Sequence, residues 1–157
     1  MNKIKNFIIF IIIILTTGCG YNVVKQSGKN NFNIIDVSSS GEKKINYKIK
    51  NKLLFNSSKE SVNLIQISID TDKTKIIKEK NVKNQITKYQ LTVNAKIQYS
   101  KLNKVKKNSF TVNQTEDLNV TSSRLQTLNN EKKIIESMVD KLVEEILDEL
   151  NSRLNDI

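Results

Sequence analysis

The fold is decided by the stretch Tyr89-Gln90-Leu91-Thr92-Val93-Asn94-Ala95-Lys96-Ile97-Gln98-Tyr99. Apolar and polar residues alternate here at a strict period of two. Successive side chains of a β-strand point to opposite faces, so this pattern places every apolar residue on one face. The pattern therefore predicts a strand from Ile86 to Tyr99, with one face buried and the other in water.

The residues that follow predict a hairpin. Lys101 to Asn108 is a basic turn, and Ser109 to Gln114 is a second strand with Phe110 and Val112 on one face. The stretch from Glu116 to Val120 can continue this strand. Because the connection is short, we expect the two strands to be antiparallel.

A long amphipathic helix is predicted at the C-terminal end, roughly from Asn129 to Asn155. Its apolar residues recur at steps of three and four. They are Ile135, Met138, Val139, Leu142, Ile146 and Leu150. Glu131 would then fall in the first turn, where the helix dipole favours a negative charge.

The residues before the deciding strand predict one more strand and a charged connection. Val62 to Ile69 is rich in Ile and Val, and its apolar residues change phase between Leu64 and Ile65, which favours a bulge or two buried faces. Residues 70–84 are mostly charged, which indicates a strand extension followed by a long exposed connection.

A first strand and a first helix precede these. Phe32 to Val37 is a short strand, and Ser38 to Gly41 is a break with helix-capping residues. Glu42 to Phe55 carries Ile45, Ile49 and Leu53 at steps of four, with Leu54 beside them, which predicts a helix. We expect one α+β domain over residues 32–157: a two-layer sandwich of two helices on a mostly antiparallel sheet of about four strands.

The N-terminal residues resemble a lipoprotein signal peptide. Lys3 and Lys5 precede an apolar run from Phe7 to Leu15, which as a helix would span about 14 Å, whereas the bilayer core is about 30 Å thick. Residues 1–18 are therefore predicted to be a signal peptide. Cys19, the only cysteine, would carry a diacylglycerol and an N-acyl chain, and residues 19–31 would form a tether. An ordinary secretory peptide or a short anchor is the alternative.

The net charge of +10 is unevenly distributed. Residues 20–129 hold 20 basic and 8 acidic residues, whereas residues 130–157 hold 4 basic and 8 acidic ones. A basic body can contact nucleic acid, anionic lipid or acidic glycan. Export argues against nucleic acid. Nucleotide bias in the genome equally explains a body so rich in Lys, Asn and Ile.

The composition argues against an enzyme. The chain has no His, and its single Cys is assigned to the lipid. His- or Cys-based metal sites and a His general base are therefore excluded. Adjacent carboxylates such as Asp70 with Asp72 or Glu144 with Glu145 are usually solvated. We expect no catalytic residue, no metal and no cofactor.

Taken together, these features resemble the LPS-assembly lipoprotein family LptE. The resemblance rests on the start Gly18-Cys19-Gly20-Tyr21, the early strand and helix, the alternating strand, the strand through Glu116-Asp117-Leu118-Asn119-Val120 and the aliphatic last helix. The resemblance implies that this chain acts as the partner of another protein, and not as an enzyme, on the periplasmic side of the outer membrane. Such a partner plugs the LptD β-barrel while lipopolysaccharide passes to the cell surface.

Two lysine-rich segments are candidates for contact with phosphates of lipid A or with a partner. The first is the turn with Lys101, Lys104, Lys106 and Lys107. The second is the charged connection with Lys73, Lys75, Lys78, Lys80 and Lys83. Both segments can also be simple solvated turns. An accessory lipoprotein of another envelope lipid-transport system, and a surface lipoprotein with no lipid role, are the alternative functions.

Overall fold

The computed structural model describes residues 30–102, 104 and 106–155. The elements follow in the order β1 (Asn33–Gly41), α1 (Lys43–Asn56), β2 (Leu64–Lys80), β3 (Ile86–Lys101), β4 (Asn108–Asn119) and α2 (Arg124–Asn155). The sheet order is β1-β2-β3-β4, with β1 parallel to β2 and the other pairs antiparallel. The predicted α+β class is confirmed. The predicted signal peptide, Cys19 and the tether up to residue 29 lie outside the described residues.

One face of the sheet and both helices form the core. The alternation in β3 is confirmed, because Leu91, Val93, Ala95, Ile97 and Tyr99 are all buried. The stripe of α2 from Met138 to Leu150 is also buried. Each large aliphatic side chain removed from water contributes about 1.5–3 kcal/mol, so this one-sided burial dominates the stability.

Helix α1 packs its predicted stripe against the sheet, and Ile45, Ile49 and Leu53 are buried. A polar residue, Asn46, is buried among them. Its amide donates to the carbonyl of Ser40 at 2.6 Å, and its side-chain oxygen accepts from the Thr71 hydroxyl at 2.9 Å. Asn46 therefore ties α1 to both parallel strands without an unsatisfied group.

The predicted break at Ser38 to Gly41 is wrong, because these residues belong to β1. They pair with residues 68–71 of β2. Serine has a strong preference for caps and turns, but here backbone pairing with a neighbouring strand outweighs local preference. The chain turns into α1 only at Gly41, which has φ +89°.

The predicted extension of the strand beyond residue 70 is confirmed, but the long exposed connection predicted to follow it is wrong. Strand β2 runs on to Lys80, and its charged half pairs with β3, for example Lys75 with Leu91 and Ile77 with Tyr89. Only residues 81–85 connect the two strands. The irregularity expected near Leu64 lies in the partner strand, where the register shifts between Ile34 and Asp36 of β1. Strand β2 itself is irregular only near its end, between Ile77 and Lys80.

Helix α2 begins at Arg124, earlier than predicted, so Glu131 is not in its first turn. The Ser123 hydroxyl accepts from the Gln126 backbone N–H at 3.3 Å, and the Ser123 carbonyl accepts from the Thr127 N–H at 3.0 Å. Serine followed three residues later by glutamine is a known pattern at helix N-termini, so the sequence contains the signal for a start at this position. None of the described helices combines the length and the apolar character needed to cross a bilayer.

Candidate functional surfaces

The face of the sheet opposite the helices carries a continuous layer of polar side chains that neither of the two described helices covers. We call it the polar sheet face. It comprises Asp70, Asp72, Thr74, Gln90, Thr92, Asn94, Lys96, Thr111, Asn113 and Thr115. All of these residues are exposed or half-buried, whereas their neighbours along β3 are buried. The alternation of β3 therefore leaves a wet face that is available to a partner.

Hydrogen bonds between strands organise the polar sheet face. The hydroxyls of Thr92 and Thr115 lie 3.1 Å apart, and the Asn94 amide donates to Asp72 at 2.9 Å. Side-chain pairs across neighbouring strands stabilise a sheet by about 0.2–1 kcal/mol each. This surface is thus formed in advance and would need little reordering to bind.

The hairpin that joins β2 and β3 holds the second candidate lysine segment. Three of its five lysines lie within ion-pair distance of carboxylates, whereas Lys80 and the exposed Lys83 form no ion pair within the described residues. Lys75 pairs with Glu131 at 2.6 Å, and Lys78 pairs with Asp117 at 2.7 Å. Lys73 lies 4.0 Å from Glu131, and Lys80 donates to the Asn84 side chain at 3.1 Å. This segment is therefore a weaker candidate for binding an external phosphate.

The first candidate segment behaves differently. We call the stretch 101–107 the basic loop. Within the described part of the chain, Lys101, Lys104, Lys106 and Lys107 form no ion pair, and all but the half-buried Lys101 are exposed. The loop lies at one end of β3 and the hairpin turn at the other, about 50 Å away at 3.3 Å per residue. The two lysine segments therefore cannot form one site.

The chain enters the domain at the same end as the basic loop. The Asn30 amide donates to the carbonyl of Asn56 at 2.5 Å, and the Asn151 amide donates to the Asn30 side chain at 2.7 Å. The carbonyl of Asn31 accepts from Ser61 and Asn63 at 2.7 and 2.8 Å. Asn30 and Asn31, which the sequence analysis assigns to the tether, are thus bound to the fold. We call this end of the molecule the entry end.

A groove of about 610 Å³ lies between the first residues of α1 and the N-terminal half of α2. Ile45, Tyr47, Leu128 and Ile135 contribute apolar surface, and Lys43 and Lys132 stand among the lining residues. Sequence reasoning missed this groove, because it arises from the unequal lengths of two packed helices. The described residues contain no cluster of three or more His, Cys, Asp or Glu side chains that could hold a metal ion.

Three solved structures share this fold. The rare lipoprotein B of Shewanella oneidensis aligns with a TM-score of 0.61 and 12% identity over 77% of this chain and 97% of its own. A putative lipoprotein of Caulobacter crescentus aligns at 0.54 and 11%, over 83% and 95% of the two chains. Lipoprotein B of Nitrosomonas europaea aligns at 0.51 and 12%, over 82% and 90%. No curated protein sequence matches the chain.

The family model described as "LptE: Lipopolysaccharide-assembly" matches residues 34–150. The match runs from β1 into the last turns of α2, so it includes every strand and both helices. On this evidence the chain belongs to the LptE family of lipopolysaccharide-assembly lipoproteins.

Proposed function

We propose that this protein is an outer-membrane lipoprotein that binds inside the lumen of an LptD β-barrel and assists the transport of lipopolysaccharide to the cell surface. It would be anchored through lipid on Cys19, on the periplasmic side, and it would act by binding rather than by catalysis. Family membership supports the role in lipopolysaccharide assembly. The polar sheet face is the observation that carries the plug function.

A barrel lumen is polar and filled with water. A domain that fits there must bury its apolar side chains internally and present satisfied polar groups to the wall. The sheet does this, because β3 turns Val93 and Ile97 towards the helices and Thr92 and Asn94 outwards. Polar side chains on this face already hydrogen-bond to one another, as Asn94 does to Asp72. They can still contact water or the barrel wall, and contact with the wall would not bury a charge that lacks a partner.

A single substitution on the polar sheet face tests the plug function. Asn113 is exposed and its side chain makes no hydrogen bond within the described residues. Asn113→Arg should therefore change stability by no more than about 0.5 kcal/mol. It should nevertheless lower the amount of barrel protein that co-purifies with the tagged chain.

Ser137→Arg on the exposed side of α2 is the matched control, since it adds a similar side chain away from the sheet. We expect this variant to retain the barrel. Equal recovery with both variants would contradict the assigned face. Recovery of a periplasmic or inner-membrane transport component from the unsubstituted protein, with no barrel, would favour the alternative of another lipid-transport system.

We further propose that the basic loop contacts phosphates of lipopolysaccharide. Its lysines form no ion pair with the other described residues, and an ammonium group binds phosphate as a point charge that salt can screen. Replacing Lys101, Lys104, Lys106 and Lys107 with Gln should weaken lipopolysaccharide binding and reduce its dependence on salt. The control replaces the paired lysines Lys75, Lys78 and Lys88 with Gln. A greater loss with the control set would overturn the assignment to the loop.

A further inference from the structure

We propose that the entry end is a membrane-binding surface, on which Phe55 and Val62 insert into the bilayer interface while the basic loop binds anionic headgroups. The contact would hold the domain against the membrane before it engages the barrel. The inference depends on the proposed lipid anchor at Cys19, and it adds a second attachment that the anchor alone does not require.

The entry end exposes large apolar side chains. Phe55 is 90% exposed and Val62 is 91% exposed. Leu54, Leu102 and Ile35 are also exposed, each by about two fifths of their surface. Scattered single apolar residues on a surface need no explanation, but a group at one end of a domain marks an interaction site. The hairpin end exposes a second such group, Ile76, Ile77 and Val82, so the entry end is distinguished by its lysines and by the entering chain.

Hydrogen bonds place these residues at one end. Phe55 precedes Asn56, whose carbonyl accepts from Asn30. Val62 lies between Ser61 and Asn63, and the side chains of both donate to the carbonyl of Asn31.

The basic loop is joined to the same end through the backbone. The Leu102 N–H donates to the carbonyl of Leu64 at 2.8 Å, and Leu64 is the residue that pairs with Asn33 at the start of β1. The exposed apolar residues, the basic loop and the point where the chain enters are therefore neighbours.

The charge of the entry end fits an anionic surface. Lys59 and the four lysines of the basic loop form no ion pair within the described residues. The acidic residues near them are Glu60, in the same turn as Lys59, and Asp36, which lines a shallow cleft together with Lys107. Of the lysines towards the hairpin end, Lys75, Lys78 and Lys88 bind carboxylates of the fold, whereas Lys80 and Lys83 form no ion pair within the described residues. Each lysine close to an anionic bilayer adds about fivefold to membrane affinity.

The number of residues between Cys19 and the described domain indicates that the entry end contacts the membrane. Cys19 precedes Asn30 by 11 residues, which span at most about 40 Å when fully extended. A lipid on Cys19 therefore keeps the entry end within reach of the bilayer and leaves the hairpin end further away. Stable membrane attachment commonly combines a lipid with a basic or apolar patch.

The absence of tryptophan from the sequence permits a direct test. Phe55→Trp places one fluorophore at the entry end, and Val82→Trp places one at the fully exposed hairpin turn as the matched control. The acylated full-length chain is reconstituted in vesicles of phosphatidylcholine with phosphatidylglycerol that contain no lipopolysaccharide. We expect a blue-shifted emission and quenching by brominated acyl chains with Phe55→Trp, and neither with Val82→Trp. The proposal would be overturned if the emission of Phe55→Trp had the same wavelength as that of Val82→Trp and were likewise not quenched.

Charge is tested in the same background. Adding Gln at the four lysine positions of the basic loop to Phe55→Trp should reduce the quenching to the value found in vesicles of phosphatidylcholine alone. Undiminished quenching would exclude headgroup binding by the loop. The mass of the protein reports acylation separately, so an unacylated chain refutes the anchor, whereas an acylated but unquenched chain refutes this surface. Co-purification of the barrel protein measures neither the acylation of Cys19 nor the contact of the entry end with the membrane.

Discussion

Gly41 ends β1 with a backbone angle that side chains rarely adopt. Its φ is +89°, and a Cβ atom there would lie 1.9 Å from the carbonyl oxygen of Thr71. That same oxygen accepts from the Glu42 N–H at 3.1 Å, so the neighbouring strand cannot move away without losing the start of α1. Gly41 thus permits a strand to turn directly into the helix that crosses it.

Gly41→Ala should therefore lower the free energy of unfolding by about 2 kcal/mol or more, because strain at positive φ adds to the overlap with Thr71. Urea denaturation measures this change. Ser39→Ala, at an exposed position in the same strand, is the control and should have little effect. Equal stabilities of the two variants would contradict the assigned backbone geometry.

At the scale of the element, α2 is held by its buried stripe. Leu142 is fully buried among aliphatic side chains of the core. Leu142→Asp removes a large apolar group and buries a carboxylate without a partner, so we expect a loss of about 4 kcal/mol or more. Circular dichroism during thermal unfolding should show an unfolded or strongly destabilised protein. Lys133→Asp, exposed on the same helix, should unfold close to the unsubstituted protein; a cooperative, stable Leu142→Asp variant would mean that α2 is not core.

Ion pairs join α1 to α2 on the solvent side of their contact. Lys48 binds Glu136 at 2.7 Å, and Lys52 binds Asp140. The hydrogen bond from Lys48, together with its positive charge, lowers the pKa of Glu136 below its ordinary value. A carboxyl whose pKa is lowered by folding stabilises the folded state above its unfolded pKa, and this contribution disappears as the pH falls through the folded pKa.

Glu136→Gln should consequently be less stable than the unsubstituted protein at neutral pH and equally stable in acid, below the lowered pKa. Both side chains of the Lys48–Glu136 pair are more than one third exposed, so the difference should be small. Urea denaturation at a series of pH values measures it. A difference that persists unchanged in acid would show that the substitution acts by some means other than this ion pair.

The whole molecule is organised along β3, with different chemistry at its two ends. Both ends expose apolar residues. Within the described residues, the lysines of the entry end form no ion pair, whereas three lysines towards the hairpin end bind Glu131, Asp117 and Glu79. Between them runs the polar sheet face. This arrangement suits a body that is attached to a membrane at one end and contacts a polar wall along its side.

A plug of this kind should be shielded in intact cells. We expect protease added to whole cells to leave the chain uncut, and to cut it once the outer membrane is opened. The exposed hairpin turn at Val82 and Lys83 offers a lysine for tryptic cleavage, so resistance in intact cells would reflect shielding. Cleavage in intact cells would favour the alternative of a surface lipoprotein.

The sequence predicted most elements of the fold, and its errors lie at their ends. Period-two and helical patterns identified β3, α1 and α2 because a buried face must repeat with the geometry of its element. Ser38 to Gly41 and residues 70–80 lack such a signal. Their strand structure comes from hydrogen bonds to β2 and β3, which no local pattern of polar residues encodes.

For the candidate surfaces, the sequence alone determined that the chain has many lysines, a lipidation-like cysteine and strands with one wet face. Only the tertiary structure decided that Lys75 and Lys78 pair with Glu131 and Asp117, while the lysines of the basic loop form no ion pair with any described residue. It likewise brought Phe55, Val62 and the basic loop to the end where the chain enters. The physical reason is that periodicity records which side of an element is buried, whereas the pairing of charges and the grouping of distant side chains depend on how the elements pack against one another.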